Sequence, residues 1–152
     1  MRQKFVALTV SVALLFAPVY LLAKGDTVRI VINGGNLAAP IGITELAVAA
    51  RFQVWSSLIL DRSRGAVEPP KNLPIYNISF VTTRRNPGTY VVRYAVDPAT
   101  NKGYVYVPGK TDAEYRDNVW LIYRGIEGHW FHACSEWEKL AHSRIARAPK
   151  TH

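Results

Sequence analysis

The chain is poor in cysteine, with Cys134 the only one among its 152 residues. A single thiol cannot form an internal disulfide, so the sequence excludes a disulfide-stabilised scaffold and requires a packed core. The remaining thiol could pair with another chain or carry chemistry. We favour the interpretation of Cys134 as a small apolar residue within the run HWFHAC.

The sequence also lacks the motifs of common catalytic sites. No G-x-S-x-G elbow surrounds Ser57, Ser63 or Ser135, and the NGGN run at 33–36 has neither the lysine nor the helix of a phosphate-binding loop. A pair of carboxylates for glycoside cleavage cannot be selected from the sequence, because the distance between the two groups in the fold decides the chemistry. We therefore predict no catalytic residue and no cofactor. The alternative is a small periplasmic hydrolase that uses Cys134 or a serine as its nucleophile.

One short segment contains several metal-ligating residue types. His129, His132, Cys134 and Glu136 are four potential ligands within eight residues. On a strand, however, His132 and Cys134 share one face while His129 points to the other. Glu136 already belongs to the following helix pattern. We therefore predict no metal site here.

The charge balance is basic. The formal net charge is +8 at pH 7, and Arg2 and Lys4 lie in an N-terminal leader, so the rest of the chain carries about +6. A basic surface favours anionic partners, such as phospholipid head groups or acidic envelope polymers, without naming one. Nucleic acid is disfavoured, because lysine and arginine are not dense among the aromatic residues and the leader indicates export.

The leader follows the pattern of a secretory signal peptide. Arg2 and Lys4 precede an uncharged, mainly apolar run at 5–23, which Lys24 ends. Cleavage after Ala23 is favoured, although Leu21 stands where a small residue is usual. Retention as a signal anchor is the alternative, because a helix of that length is borderline for crossing a hydrocarbon core about 30 Å thick. We therefore predict a signal peptide or signal anchor at 1–23 and an exported, periplasmic or secreted domain at 24–152.

The first half of that domain alternates strand and helix patterns. Residues 27–32 form a first strand that ends at NGGN, and 37–43 form an edge strand or extended connection because of Pro40. Thr44 has the position of a helix N-cap, and the spacing of Val48, Phe52 and Trp55 predicts a helix over 45–55. The run 61–74 is rich in proline, glycine and charge, as in a surface loop.

The second half has the clearest strand patterns. Residues 76–83, 90–96 and 104–107 predict three successive strands, with a left-handed position near the end of the DPATNKG reversal. Thr111 and Glu114 form a capping box for a short helical turn. A hairpin is predicted from the strand patterns at 119–123 and 129–134. Ser135 and Glu138 form the capping box of a second helix. The PKTH tail is expected to fray.

These patterns predict an α+β fold: one domain, with an antiparallel sheet of about five to seven strands in meanders and hairpins, packed with two helices. The candidate binding residues are aromatic and charged residues of the second half. Such residues together suit recognition of sugars, peptides or protein surfaces. The residues predicted for binding are Arg124, Glu127, His129, Trp130, Tyr104 and Tyr106.

Several segments resemble those of a known group of proteins. GGNLAAPI, RFQVW, EPPKNLP, DPATNKGYVYVPGK and YRGIEGHWFHA are similar to segments of small uncharacterised exported bacterial proteins with no assigned activity. The resemblance implies an exported location in a bacterium and transfers no site residue. The predicted function is accordingly a non-catalytic binding or structural domain of the cell envelope. The expected partner is an unknown envelope component, whether protein, glycan or anionic surface, and only the N-terminal segment would contact the membrane.

Overall fold

A computed structural model describes residues 25–53, 56–83, 88–118 and 125–151 of the chain. They form a seven-stranded antiparallel sheet with the strand order β2-β1-β4-β5-β6-β7-β3. The strands are β1 (Thr27–Gly34), β2 (Ile41–Ile43), β3 (Leu60–Asp61), β4 (Ile75–Thr82), β5 (Thr89–Asp97), β6 (Lys102–Val107) and β7 (His129–Ala133). The helices are α1 (Leu46–Ala49), α2 (Tyr115–Asn118) and α3 (Ser135–Arg147). The predicted α+β fold with an antiparallel sheet is confirmed.

The centre of the sheet is the meander from β4 to β6. Its register pairs Ile78 with Val92 and Tyr94 with Val105, which places β-branched and aromatic side chains opposite one another. Asn101 adopts a φ of 56° in the reversal between β5 and β6, which confirms the left-handed position expected there. The three strands predicted from alternation are therefore present and adjacent.

Helix α3 covers one face of the sheet. Trp137 is fully buried, and its ring contacts the rings of Phe52, Phe80 and Tyr94 at centroid distances of 5.4, 5.8 and 5.9 Å. Ala141 and Ile145 continue the buried stripe along the helix. The predicted second helix and its packing on the sheet are confirmed, and the sheet face opposite α3 is called the open face below.

The first predicted helix is shorter than expected. It was predicted over 45–55, but α1 spans Leu46–Ala49, its N-cap is Glu45 rather than Thr44, and Trp55 lies outside the described residues. The helix then gives way to a turn, in which the Phe52 amide donates to the Ala49 carbonyl three residues earlier. The Gln53 side chain accepts from the Thr27 amide at 2.9 Å, so this segment is used to hold the start of β1 and does not continue the helix.

Both predicted capping boxes are wrong. The N-cap of α3 is Cys134, one residue before Ser135, and Glu138 accepts from the Gly103 amide at 2.7 Å. Glu114 contacts the Arg93 guanidinium at 3.1 Å. In each case the glutamate that would close the box interacts with a strand instead, because a longer-range donor lies within reach.

The C-terminal tail does not fray over its described part. Ala38 donates to the Pro149 carbonyl at 3.0 Å, and Thr151 donates to the Asn36 carbonyl at 3.0 Å. Leu37 and Lys150 form an antiparallel bridge between these contacts. The expectation of fraying is therefore wrong for 149–151, because the residues after NGGN offer the tail backbone partners.

Two whole predicted segments fall on parts of the chain that the structure does not describe. The signal segment at 1–23 and the strand predicted at 119–123 lie outside the described residues. The described partners of β7 are β6 and β3. Among the described residues, the helices do not include one with the length and apolar character of a membrane-spanning segment.

Candidate binding surface

Two ring pairs lie side by side on the open face. Tyr106 is directly opposite Trp130 in the β6–β7 register, and Tyr104 is opposite His132. The ring centroids are 5.2 Å apart in the first pair and 5.4 Å apart in the second. Cross-strand partners share a face of the sheet, so the strand alternation seen in the sequence brings these four rings together.

Arg93 adds a charged group beside Tyr106. It is the β5 partner of Tyr106, and its guanidinium carbon lies 5.2 Å from the centre of that ring. The same guanidinium contacts Asp112 at 2.9 Å and Glu114 at 3.1 Å. Arg93, Tyr106, Asp112, Glu114 and Trp130 together are called the aromatic–arginine surface.

Asp112 holds this surface in place. Its Oδ2 accepts from the Tyr106 hydroxyl at 2.8 Å and from the Gly109 amide at 2.7 Å. Burial alone would raise the pKa of Asp112, but these hydrogen bonds and the charge of Arg93 keep it below the usual value. Burial and the bond to Asp112 raise the pKa of Tyr106. Asp112 is therefore a carboxylate and Tyr106 a neutral donor near pH 7.

The other predicted binding residues have different environments. Glu127 accepts from the Gly125 amide at 2.6 Å and so closes its own turn. Tyr104 is only 6% exposed, so it supports the His132 ring and offers little free surface. His129 and Trp130 line a depression of about 130 Å³ with Val67 and Glu68. Arg124 lies outside the described residues.

Sequence reasoning missed Asp112 and Glu114. Both lie in the short connection after β6, where the spacing from Thr111 to Glu114 suggested a helix cap. The outward position of Arg93 on a central strand was the one signal that acidic partners lie nearby, because a half-buried guanidinium requires acceptors. Nothing in the sequence alone indicates that this connection folds back over Arg93.

A second site is a cleft of about 410 Å³ at the beginning of α3. It brings together Cys134 and His132 with the carboxylates of Asp61, Glu136 and Glu138. The Cys134 thiol donates to the Ser57 carbonyl at 2.9 Å. Burial and the three carboxylates raise its pKa, so the thiol stays protonated near pH 7.

Two carboxylates of the cleft are engaged by serine residues, and its histidine has a lowered pKa. Asp61 accepts from the amide and hydroxyl of Ser63, and the Ser135 hydroxyl donates to Glu136. Burial, followed by the charges of Arg64 and Lys102, lowers the pKa of His132. Among the described residues there is no group of three or more histidine, cysteine, aspartate and glutamate side chains that could hold a metal ion.

Comparison with known proteins gives no independent identification. No family model, curated protein or solved structure matches the chain. Any function is therefore inferred from the sequence patterns and from the geometry of the two sites.

Proposed function

We propose that the chain is an exported, non-catalytic binding or structural domain of the bacterial cell envelope. The observation that carries the binding role is the fixed arrangement of the aromatic–arginine surface. Tyr106 is in contact with Trp130 on one side and with Arg93 on another, and its hydroxyl bonds Asp112. A surface that is ordered before binding loses less conformational entropy when a partner docks.

The charge of the aromatic–arginine surface restricts the class of partner that we expect. Arg93 is accompanied by two carboxylates, Asp112 and Glu114, so these three residues carry no excess positive charge. The net charge of +8 for the whole chain therefore does not describe this surface. Aromatic rings beside paired donors and acceptors suit a glycan or a protein better than an anionic surface.

The binding role is tested by affinity capture from a bacterial envelope fraction with the mature domain as bait. Trp130→Ala and Tyr106→Ala should each reduce recovery of the captured component at least tenfold, because each removes one ring of the pair. Arg124→Ala tests the predicted contribution of the turn before β7. Leu46→Ala is the matched control, since Leu46 is 65% exposed on α1, away from this surface. Equal recovery by the two ring variants and the control would contradict the proposal.

A small periplasmic hydrolase is the second candidate, and the cleft at the beginning of α3 is the observation that favours it. The raised pKa of Cys134 opposes a thiolate nucleophile at neutral pH. We expect slow alkylation of Cys134 by iodoacetamide at pH 7, with a rate that rises only above the ordinary thiol range. Rapid alkylation, together with ester hydrolysis that Cys134→Ala abolishes, would favour the hydrolase.

A further inference from the structure

A groove of about 340 Å³ lies where the second half of α3 crosses the ends of β4 and β5. Tyr76, Val96, Ile145 and Ala146 supply apolar lining, and Asn36 and Lys150 are among the polar residues at its edge. We call it the tail groove, because the C-terminal tail forms one side of it. It is separate from the aromatic–arginine surface, since Tyr76 lies on the α3 side of the sheet.

The apolar side of the groove is fixed by Tyr76. This residue is 2% exposed, and its hydroxyl donates to Asn36 Oδ1 at 2.8 Å. Its ring passes so close to Gly35 that a Cβ at position 35 would overlap it, and Gly35 also has a φ of +57°. Gly35 therefore allows both the turn and the ring position, and a larger residue there would disturb the groove.

Lys150 is held at the edge of the groove by its backbone and its side chain. The Leu37–Lys150 bridge and the Thr151 amide, which donates to the Asn36 carbonyl, fix the backbone. The Lys150 ammonium donates to the Ile145 carbonyl at 2.6 Å. An ammonium has three N–H donors, so this contact leaves donors for a ligand.

The charge of the groove has one sign. Of the described residues that line it, none is an aspartate or glutamate, and Lys150 is its cation. Burial lowers the pKa of His142, the other titratable base in the lining, although the charge of Glu138 opposes this effect. His142 is therefore neutral near pH 7. The groove thus combines an apolar wall with one positive charge at its edge.

We propose that the tail groove binds a small amphipathic monoanion, a carboxylate with an unbranched apolar chain. The chain would lie against Val96, Ile145 and Ala146, and the carboxylate would accept from the Lys150 ammonium. The volume is at the lower end of the range of about 300–1,000 Å³ for ligand sites, so the occupant is small. This site goes beyond the proposed envelope-binding function and does not depend on it.

The test is an NMR titration of the methyl groups of Val96 and Ile145 in the mature domain. Sodium octanoate is expected to shift these signals saturably. Octylammonium chloride and 1-octanol have the same chain with a positive or no charge, and we expect them to bind at least tenfold more weakly. The proposal is overturned if octanoate causes no saturable shift, or if octylammonium binds as tightly as octanoate.

Two variants test the role of each side of the groove. Lys150→Met keeps the apolar stem and removes the charge, and it should weaken octanoate at least tenfold while leaving 1-octanol unchanged. Ala146→Trp, at an exposed helix position, should fill the groove and abolish binding of both. Lys71→Met, in the exposed loop before β4, is the matched charge control. Unchanged octanoate binding by Ala146→Trp would place the ligand elsewhere and overturn the proposal.

A separate control distinguishes this site from the aromatic–arginine surface. Trp130→Ala should bind octanoate as the parent domain does, because Trp130 does not line the tail groove. Loss of octanoate binding in this variant would overturn the proposed location. Failure of Trp130→Ala to affect envelope capture would count only against the proposed function.

Discussion

The Asn118 side chain supplies hydrogen bonds to β5 at the point where β6 has ended before Pro108. Strand β6 ends at Val107 and Pro108 follows, so the β5 backbone at Val91 has no β6 partner in the register. Asn118 Oδ1 accepts from the Val91 amide at 3.0 Å, and Asn118 Nδ2 donates to the Val91 carbonyl at 2.6 Å. The side chain thereby extends the ladder beyond the end of β6.

We expect Asn118→Ala to lower the free energy of unfolding by about 1–3 kcal/mol, because it removes the partners of a backbone amide and carbonyl. Urea denaturation of the mature domain measures this change. Asn118→Asp keeps the acceptor but places a carboxylate against the Val91 carbonyl, and it should be at least as destabilising. A stability equal to that of the parent in both variants would show that solvent replaces these bonds without cost.

His142 should make the domain less stable in mild acid. Burial lowers its pKa in the folded state, and Glu138 opposes this effect, while Tyr94 packs against the ring at 6.2 Å. Because the folded pKa lies below the unfolded value of 6.5, the unfolded state binds the proton more tightly. The contribution of His142 is complete at high pH and is lost as the pH falls through 6.5 and below.

The measurement is the free energy of unfolding in urea at pH 8 and at pH 5.5. The parent domain should lose more stability between these values than His142→Gln, which does not titrate. Other groups, including His132, also titrate, so the difference between the two proteins is the relevant quantity. An identical pH dependence in both would contradict the prediction.

At the scale of elements, Trp137 is the largest side chain that α3 buries. Trp137 is 0% exposed and packs on three aromatic rings, while its indole N–H has no hydrogen-bond partner among the described residues. Trp137→Ala should therefore cost about 3–5 kcal/mol through the cavity it leaves. Trp137→Phe should cost clearly less, because it loses ring area but no hydrogen bond. Thermal denaturation compares the two, and equal losses would contradict a packing role.

The tail is the second element with a measurable role. A chain that ends at Ala148 lacks the Pro149 carbonyl, to which the Ala38 amide donates. Hydrogen exchange at Ala38 should become at least tenfold faster in this variant, whereas the Ile78 amide in β4 should be unaffected. Unchanged protection of Ala38 would mean that the tail contact is not maintained in solution.

Elements with strict alternation or a long apolar stripe were predictable, and those set by remote contacts were not. The period of two identified β4, β5 and β6. The second helix was predicted after Ser135, and the buried residues of α3, Trp137, Ala141 and Ile145, do lie at helical spacing. The end of α1 depends on Gln53 reaching Thr27, and β3 is a two-residue strand that exists only through its pairing with β7. Such contacts have no local periodicity.

The candidate surface shows the same division. Tyr106 and Trp130 were predicted, because alternation defines the face on which each strand residue lies. Asp112 and Glu114 were not, because their contact with Arg93 requires the path of the connection after β6. The tail groove was also not predictable, since it needs the pairing of the tail with residues 36–38.

At the scale of the whole molecule, the leader gives a prediction about location. The full chain expressed in a bacterium should be recovered from the periplasm or inner membrane, and a form without residues 2–23 should stay in the cytoplasm. Fractionation followed by N-terminal sequencing measures both location and cleavage, with Lys24 the expected first residue. Recovery of the full chain from the cytosol with residues 1–23 intact would contradict the prediction.

The order of the strands has a consequence for how the chain folds during synthesis. Strand β1 pairs with β4, where Thr27 is opposite Thr82, and Leu60 of β3 pairs with Ala133 of β7. Strand β1 thus has both of its partners, β2 and β4, within the first 82 residues, whereas β3 has to wait for β7. The β2-β1-β4 ladders can therefore form early, but the pairing of β3 and the packing of Phe52 against Trp137 of α3 need residues near the C-terminus, so stable tertiary structure forms late in synthesis.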